Sequence, residues 1–148
     1  MKKIFLILTF SVICSFVHAQ TIEKIYSFNQ PTIESIQGYE QLQLKGCMQS
    51  ALAGQPSLPW QNVSLMLPEG QEAASIEVIL SDFLELEGSH SLFPYQPARR
   101  YSDPERHEFM IDEAVYHSKS VYPSQVTGQL TTQYMNGVGF AFSAFTPV

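Results

Sequence analysis

Proline and glycine punctuate this chain at short intervals, at Pro31, Gly38, Gly46, Gly54, Pro56, Pro59, Pro68, Gly70, Gly88, Pro94, Pro97, Pro104, Pro123 and Gly128. Proline removes a backbone donor and clashes with the preceding helical turn, and glycine in a helix interior costs about 1 kcal/mol relative to alanine. Helices of ordinary length hardly fit between these breaks. The apolar pattern between them has a period of two. Val63, Leu65 and Leu67 alternate, as do Ile76, Val78 and Leu80, which is the signature of half-buried strands. Val126, Gly128, Leu130, Thr132 and Tyr134 alternate, Asn136-Gly137 follows, and Val138, Phe140, Phe142 and Ala144 alternate again. Asn and Gly tolerate the positive φ of a type I′ turn, so this pair between alternating runs predicts a hairpin.

Other elements are less regular. Ile22, Ile25, Tyr26 and Phe28 are a candidate edge strand, and Tyr39, Leu42 and Leu44 a second. Ser102 and Glu105 stand at capping-box spacing with Pro104 between them, which would start a short helix. The consecutive Phe109, Met110 and Ile111 form no helical stripe, so a loop or a single turn followed by a strand is expected. The fold class predicted is an antiparallel all-β sandwich with Greek-key or jelly-roll-like connections.

The first nineteen residues are read as a cleavable signal peptide. Lys2 and Lys3 precede an apolar run from Ile4 to Val17, and Val17-His18-Ala19 offers small residues for cleavage after Ala19. The run is shorter than the roughly 20 residues of a spanning helix, so stable membrane insertion is not expected. The remaining residues 20–148 suffice for one domain, destined for the periplasm or secretion. Their net charge is about −8, which disfavours nucleic acid and anionic membranes.

Chemistry is sparse. Once Cys14 leaves with the signal peptide, Cys47 is alone and is read as a small buried residue rather than a nucleophile. His90, His107 and His117 lack metal-ligand spacing, so neither a metal nor a cofactor is expected. Asp82, Glu85 and Glu87 are placed on one strand, the last two on its solvent face. Tyr95, Tyr101, Tyr116 and Tyr122 offer aromatic surface for a sugar, although core and rim positions suit them better. With no Ser-centred elbow, phosphate loop or dinucleotide fingerprint, the chain is not read as an enzyme. The remaining feature is a polar, proline-bounded stretch from Gln96 to His107 that holds all the arginines, Arg99, Arg100 and Arg106. Long connections of this kind in compact domains are often functional. Here a partner-binding role stands beside a solvated loop whose arginines pair with the acidic surface.

Four pieces of the sequence resemble the N-terminal pro-domain of gingipain-like cysteine peptidases. They are Gly54-Gln55-Pro56-Ser57-Leu58-Pro59 leading to Val63 through Gly70; Ser75 to Val78 followed by Phe93-Pro94-Tyr95-Gln96-Pro97; Tyr116-His117-Ser118 with Val121-Tyr122-Pro123; and Asn136-Gly137 leading to Phe145-Thr146-Pro147-Val148. The resemblance implies a β-sandwich that assists folding of a cognate peptidase domain and keeps it latent. It further implies a loop across the active-site cleft, with Arg99, Arg100 or Arg106 as the basic side chain in an acidic specificity pocket. The partner would be that peptidase, in cis in a longer product or in trans as a stand-alone inhibitor. The family's catalytic His and Cys pair has no counterpart here, and Cys47 is not assigned to it. The alternative is an exported β-sandwich module that binds carbohydrate or an envelope protein.

Overall fold

The computed structural model describes residues 20–98 and 108–148. The signal-peptide reading of residues 1–19, Arg99, Arg100, Arg106 and the Ser102–Glu105 capping box lie outside the described residues. The elements are β1 (Thr32–Ile36), β2 (Tyr39–Gln43), β3 (Met48–Ser50), β4 (Leu58–Met66), a one-turn helix α1 (Glu113–Tyr116), β5 (Thr131–Met135) and β6 (Val138–Phe145). Strands β1 and β2 make a two-stranded sheet, and a four-stranded sheet runs in the order β3-β4-β6-β5. Each pairing is antiparallel, so the all-β antiparallel class holds.

The larger sheet is two hairpins laid side by side. Strand β4 pairs with β3 from Leu58 to Trp60 and with β6 from Gln61 to Met66. That change of neighbour makes room for Pro59, whose missing N–H would leave a gap in a strand paired on both sides. The β5–β6 hairpin closes through Asn136 (φ 51°) and Gly137 (φ 80°), with Met135 opposite Val138, as the Asn-Gly signal predicts. A second two-residue turn of the same kind, Gln37 (φ 52°) and Gly38 (φ 84°), joins β1 to β2. Its leading glutamine hides it from sequence inspection.

The strand expected from Val126 is shorter, because its register slips. Thr131 faces Phe142, whereas Thr127 bridges Phe145. The stretch around Gly128 thus carries one residue more than β6 does, which is a β-bulge. The close approach shows in the contact a Cβ on Gly128 would make with the Ala144 carbonyl oxygen at 3.4 Å.

Three expected strands do not form. Residues 20–31 belong to no ladder, although Tyr26 and Phe28 set their rings edge-on against Phe145 at 5.3 and 6.1 Å between centroids. Residues 71–91 form no strand either, so Asp82, Glu85 and Glu87 do not share a strand face. Their alternation survives as burial, with Ile76, Val78 and Leu80 half-buried and the residues between them exposed; a strand needs a partner as well as a pattern. The stretch Phe109–Ile111 leads into α1 without becoming a strand.

Among the described residues, the buried apolar core comprises Leu42 on β2, Leu44 just after it, Leu58 and Val63 on β4, and Ala141 and Phe145 on β6. Phe145 is 5 % exposed and takes the two N-terminal rings on its edges. Phe145→Ala should therefore cost about 3–5 kcal/mol, read as a shift in the urea midpoint of unfolding.

Candidate partner-binding site

The arginine-bearing stretch is fixed at both of its described ends. On the entering side, residues 93–95 run antiparallel to residues 54–57. Ser57 N–H donates to Phe93 O (2.9 Å), Tyr95 N–H to Gln55 O (2.8 Å) and Gly54 N–H to Tyr95 O (2.8 Å), with Pro56 opposite Pro94. On the returning side, Asp112 N–H donates to Gly54 O (2.8 Å). Both ends are thus pinned to the same short segment, Gly54–Ser57.

Gln96 closes the base. Its Oε1 accepts from Met110 N–H (3.0 Å) and its Nε2 donates to Met110 O (2.9 Å) and Pro94 O (3.0 Å). One side-chain amide thereby satisfies both backbone groups of Met110, as a strand partner would. Gln55 Nε2 donates to Asp112 Oδ2 (3.1 Å), while Asp112 Oδ1 accepts from Val115 N–H (3.3 Å) and caps α1. The described flanks of the arginine-bearing stretch therefore meet at a cross-linked base.

Aromatic rings pack beneath this base. Tyr39 lies 6.3 Å from Phe93, 6.1 Å from Phe109 and 6.3 Å from Tyr116, and Phe93 lies 5.7 Å from Phe109. The hydroxyls point into the protein: Tyr116 donates to Leu92 O (2.6 Å) and Tyr122 to Pro56 O (2.9 Å). Burial, then the neighbouring Tyr39 and Tyr122, pushes the Tyr116 phenol up to about 12. Burial raises Tyr122 as well, assisted by the Asp112 carboxylate. These two tyrosines serve the base rather than an open sugar platform.

Among the described residues, the other candidates gather no chemistry. Cys47 is half-buried, and burial pushes its thiol up, which disfavours the thiolate. His90 Nδ1 lies 2.7 Å from Glu40 Oε2 and holds the chain before Leu92 against β2. These two residues, with Leu42, Leu58 and Leu92, line a mostly apolar cavity of about 240 Å³. His117 lies on Glu113 at 3.3 Å. Among the described residues, no group of three His, Cys, Asp or Glu side chains could hold a metal ion, and no helix is long and apolar enough to cross a membrane.

A β-rich domain that pins both described flanks of an arginine-bearing stretch to one segment has the form of a propeptide. The family model Propeptide_C25 matches residues 15–148, and the chain belongs to that family. Members are propeptides of gingipain-type zymogens and are non-catalytic. Among solved structures, one on the zymogenic latency of gingipain K from Porphyromonas gingivalis is 27 % identical at a TM-score of 0.62 and covers 83 % of this chain and 72 % of its own. The complex of the Porphyromonas gingivalis RgpB pro- and mature domains is 18 % identical at a TM-score of 0.67. It covers 82 % of this chain, which in turn spans 65 % of that one. No curated protein sequence matches.

Sequence reading singled out the arginines but missed what pins the described flanks of their stretch. Gln55, Gln96 and Asp112 act through neighbours distant in the chain, and no local pattern marks such residues. Gly54 carries the one legible signal. Its φ is +81°, and a Cβ there would meet Asp112 N at 3.0 Å and Ile111 C at 3.1 Å, so only glycine fits. Gly54→Ala should cost at least about 1–2 kcal/mol from the left-handed backbone alone. It should also speed tryptic nicking at Arg99, Arg100 and Arg106; melting and nicking rates equal to wild type would contradict this account of the base.

Tyr116 supplies a pH dependence. Its phenol ionises near 10 in the unfolded chain and near 12 in the fold, so between those values ionisation favours unfolding. The stability it contributes is complete below pH 10 and is lost as pH rises toward 12. Urea midpoints across that window should fall less for Tyr116→Phe than for wild type.

Proposed function

We propose that this chain is the latency-maintaining, folding-assisting propeptide of a gingipain-type cysteine peptidase. In this reading it presents the stretch bearing Arg99, Arg100 and Arg106 across the partner's active-site cleft. The observation that carries it is the base at Gln96, Met110 and Asp112. A segment meant to occupy an enzyme cleft without being consumed gains from ends that are already fixed, because less conformational entropy is lost on binding. Membership of a propeptide family and likeness to a solved complex of pro- and mature domains support the peptidase as partner, in cis or in trans.

The basic side chain would pair with an acidic group in the specificity pocket. A bidentate Arg–carboxylate contact is charge-assisted and contributes about 1.5–3 kcal/mol. The module is exported, with residues 1–19 removed as a signal peptide, and residues 20–148 form the single propeptide domain. The test is inhibition of the mature gingipain-type peptidase encoded in the same genome. Wild-type chain should inhibit saturably, and Arg99→Ala/Arg100→Ala/Arg106→Ala should raise the inhibition constant about 10- to 150-fold. Undiminished inhibition by the triple variant would exclude the arginine mechanism and leave the propeptide role standing.

A further inference from the structure

Residues 71–91 are the longest described stretch outside any strand or helix, and they leave large apolar side chains in solvent. Ile79 is 83 % exposed, Phe83 77 % and Leu84 59 %. An exposed Phe flanked by Ile and Leu within a few residues is an anchor that a folded monomer does not need. The stretch is held at each end: Ala73 N–H donates to Thr132 Oγ1 (3.2 Å), and beyond the His90–Glu40 contact Phe93 N–H donates to Glu40 O (2.8 Å). Charge surrounds the apolar centre with a single sign. From residue 46 to residue 98 there is no Lys or Arg, while Glu69, Glu72, Glu77, Asp82, Glu85 and Glu87 are all acidic.

We propose that residues 76–87 form a second docking surface of the propeptide, acidic at its rim and apolar at its centre, which seats on a basic-rimmed apolar face of the peptidase domain outside the active-site cleft. The inference rests on the peptidase-partner reading above. Two considerations select this occupant. A stable interface buries about 800 Å² per partner, more than one basic side chain in a pocket supplies, so a propeptide that must hold its enzyme needs contact area beyond the arginine stretch. A second copy of this chain would bring the same acidic run against itself, and an anionic lipid surface would repel it likewise. A basic protein face meets both the charge and the exposed rings.

The surface is tested with the same-genome peptidase domain whose cleft is already blocked by a covalent active-site inhibitor, so that the arginine contact is removed from the measurement. The wild-type chain should still bind by calorimetry. Ile79→Ser/Phe83→Ser/Leu84→Ser should weaken that binding about tenfold or more with unaltered melting temperature, because these side chains are exposed. Asp82→Asn/Glu85→Gln/Glu87→Gln, which leaves the apolar residues intact, should slow association and flatten its salt dependence. Wild-type affinity in the apolar variant overturns the proposal, as does self-association of the wild-type chain that this variant abolishes. If the wild-type chain neither binds nor inhibits the unblocked peptidase, the peptidase reading itself falls, and this surface with it. Intact inhibition with an unchanged apolar variant removes the second surface alone.

Discussion

The pairing of β6 with β4 is the contact on which the rest of this fold depends. Six residue pairs, from Gln61 with Phe145 to Met66 with Phe140, join strands separated by most of the domain. Closing so long an excursion costs chain entropy, though the cost grows only slowly with length. Burial offsets it, since Val63, Ala141 and Phe145 from this pair belong to the core. Strand β5 then needs only a two-residue turn to reach β6, and β3 only a short return to reach β4.

That pairing also determines where the functional stretches emerge. Two described stretches between β4 and β5 lie outside the larger sheet, and they differ in anchoring. The stretch from 71 to 91 is tied mainly at its ends and leaves its apolar side chains in water. The stretch from 93 to 112 is bonded to Gly54–Ser57 and closed by Gln96 and Met110. A contact that must enter a narrow cleft benefits from a fixed base, whereas a broad apolar patch tolerates an irregular backbone. The difference in anchoring matches the difference in the roles proposed for the two stretches.

Burial of the tyrosines links this base to the small sheet. Tyr39 on β2 touches rings from both sides of the arginine stretch, Phe93 before it and Phe109 after it, and also Tyr116 on α1. The aromatic contacts thereby fasten the two-stranded sheet, the helix turn and the base into one unit. The phenols spend their hydrogen-bonding capacity on the Leu92 and Pro56 carbonyls, which leaves them little capacity to act on a ligand.

The sequence by itself determined the fold class, because proline and glycine spacing excludes long helices and period-two apolar runs favour strands. It also determined the hairpin at Asn136-Gly137, where the turn chemistry is local, and it confined the arginines to one connection, since their positions in the chain are given. The four motifs, read in order, pointed to the propeptide family. Only the tertiary structure decided which alternating runs become strands. Ile76, Val78 and Leu80 alternate as cleanly as Val63, Leu65 and Leu67, yet only the latter run finds neighbours to bond with. The clamp of Gln96 on Met110, the fit of Gly54 under Asp112 and the inward turn of Tyr116 and Tyr122 likewise depend on residues brought together across the chain. Local periodicity reports how a segment would pair; whether a partner strand lies within hydrogen-bonding reach is a property of the whole fold.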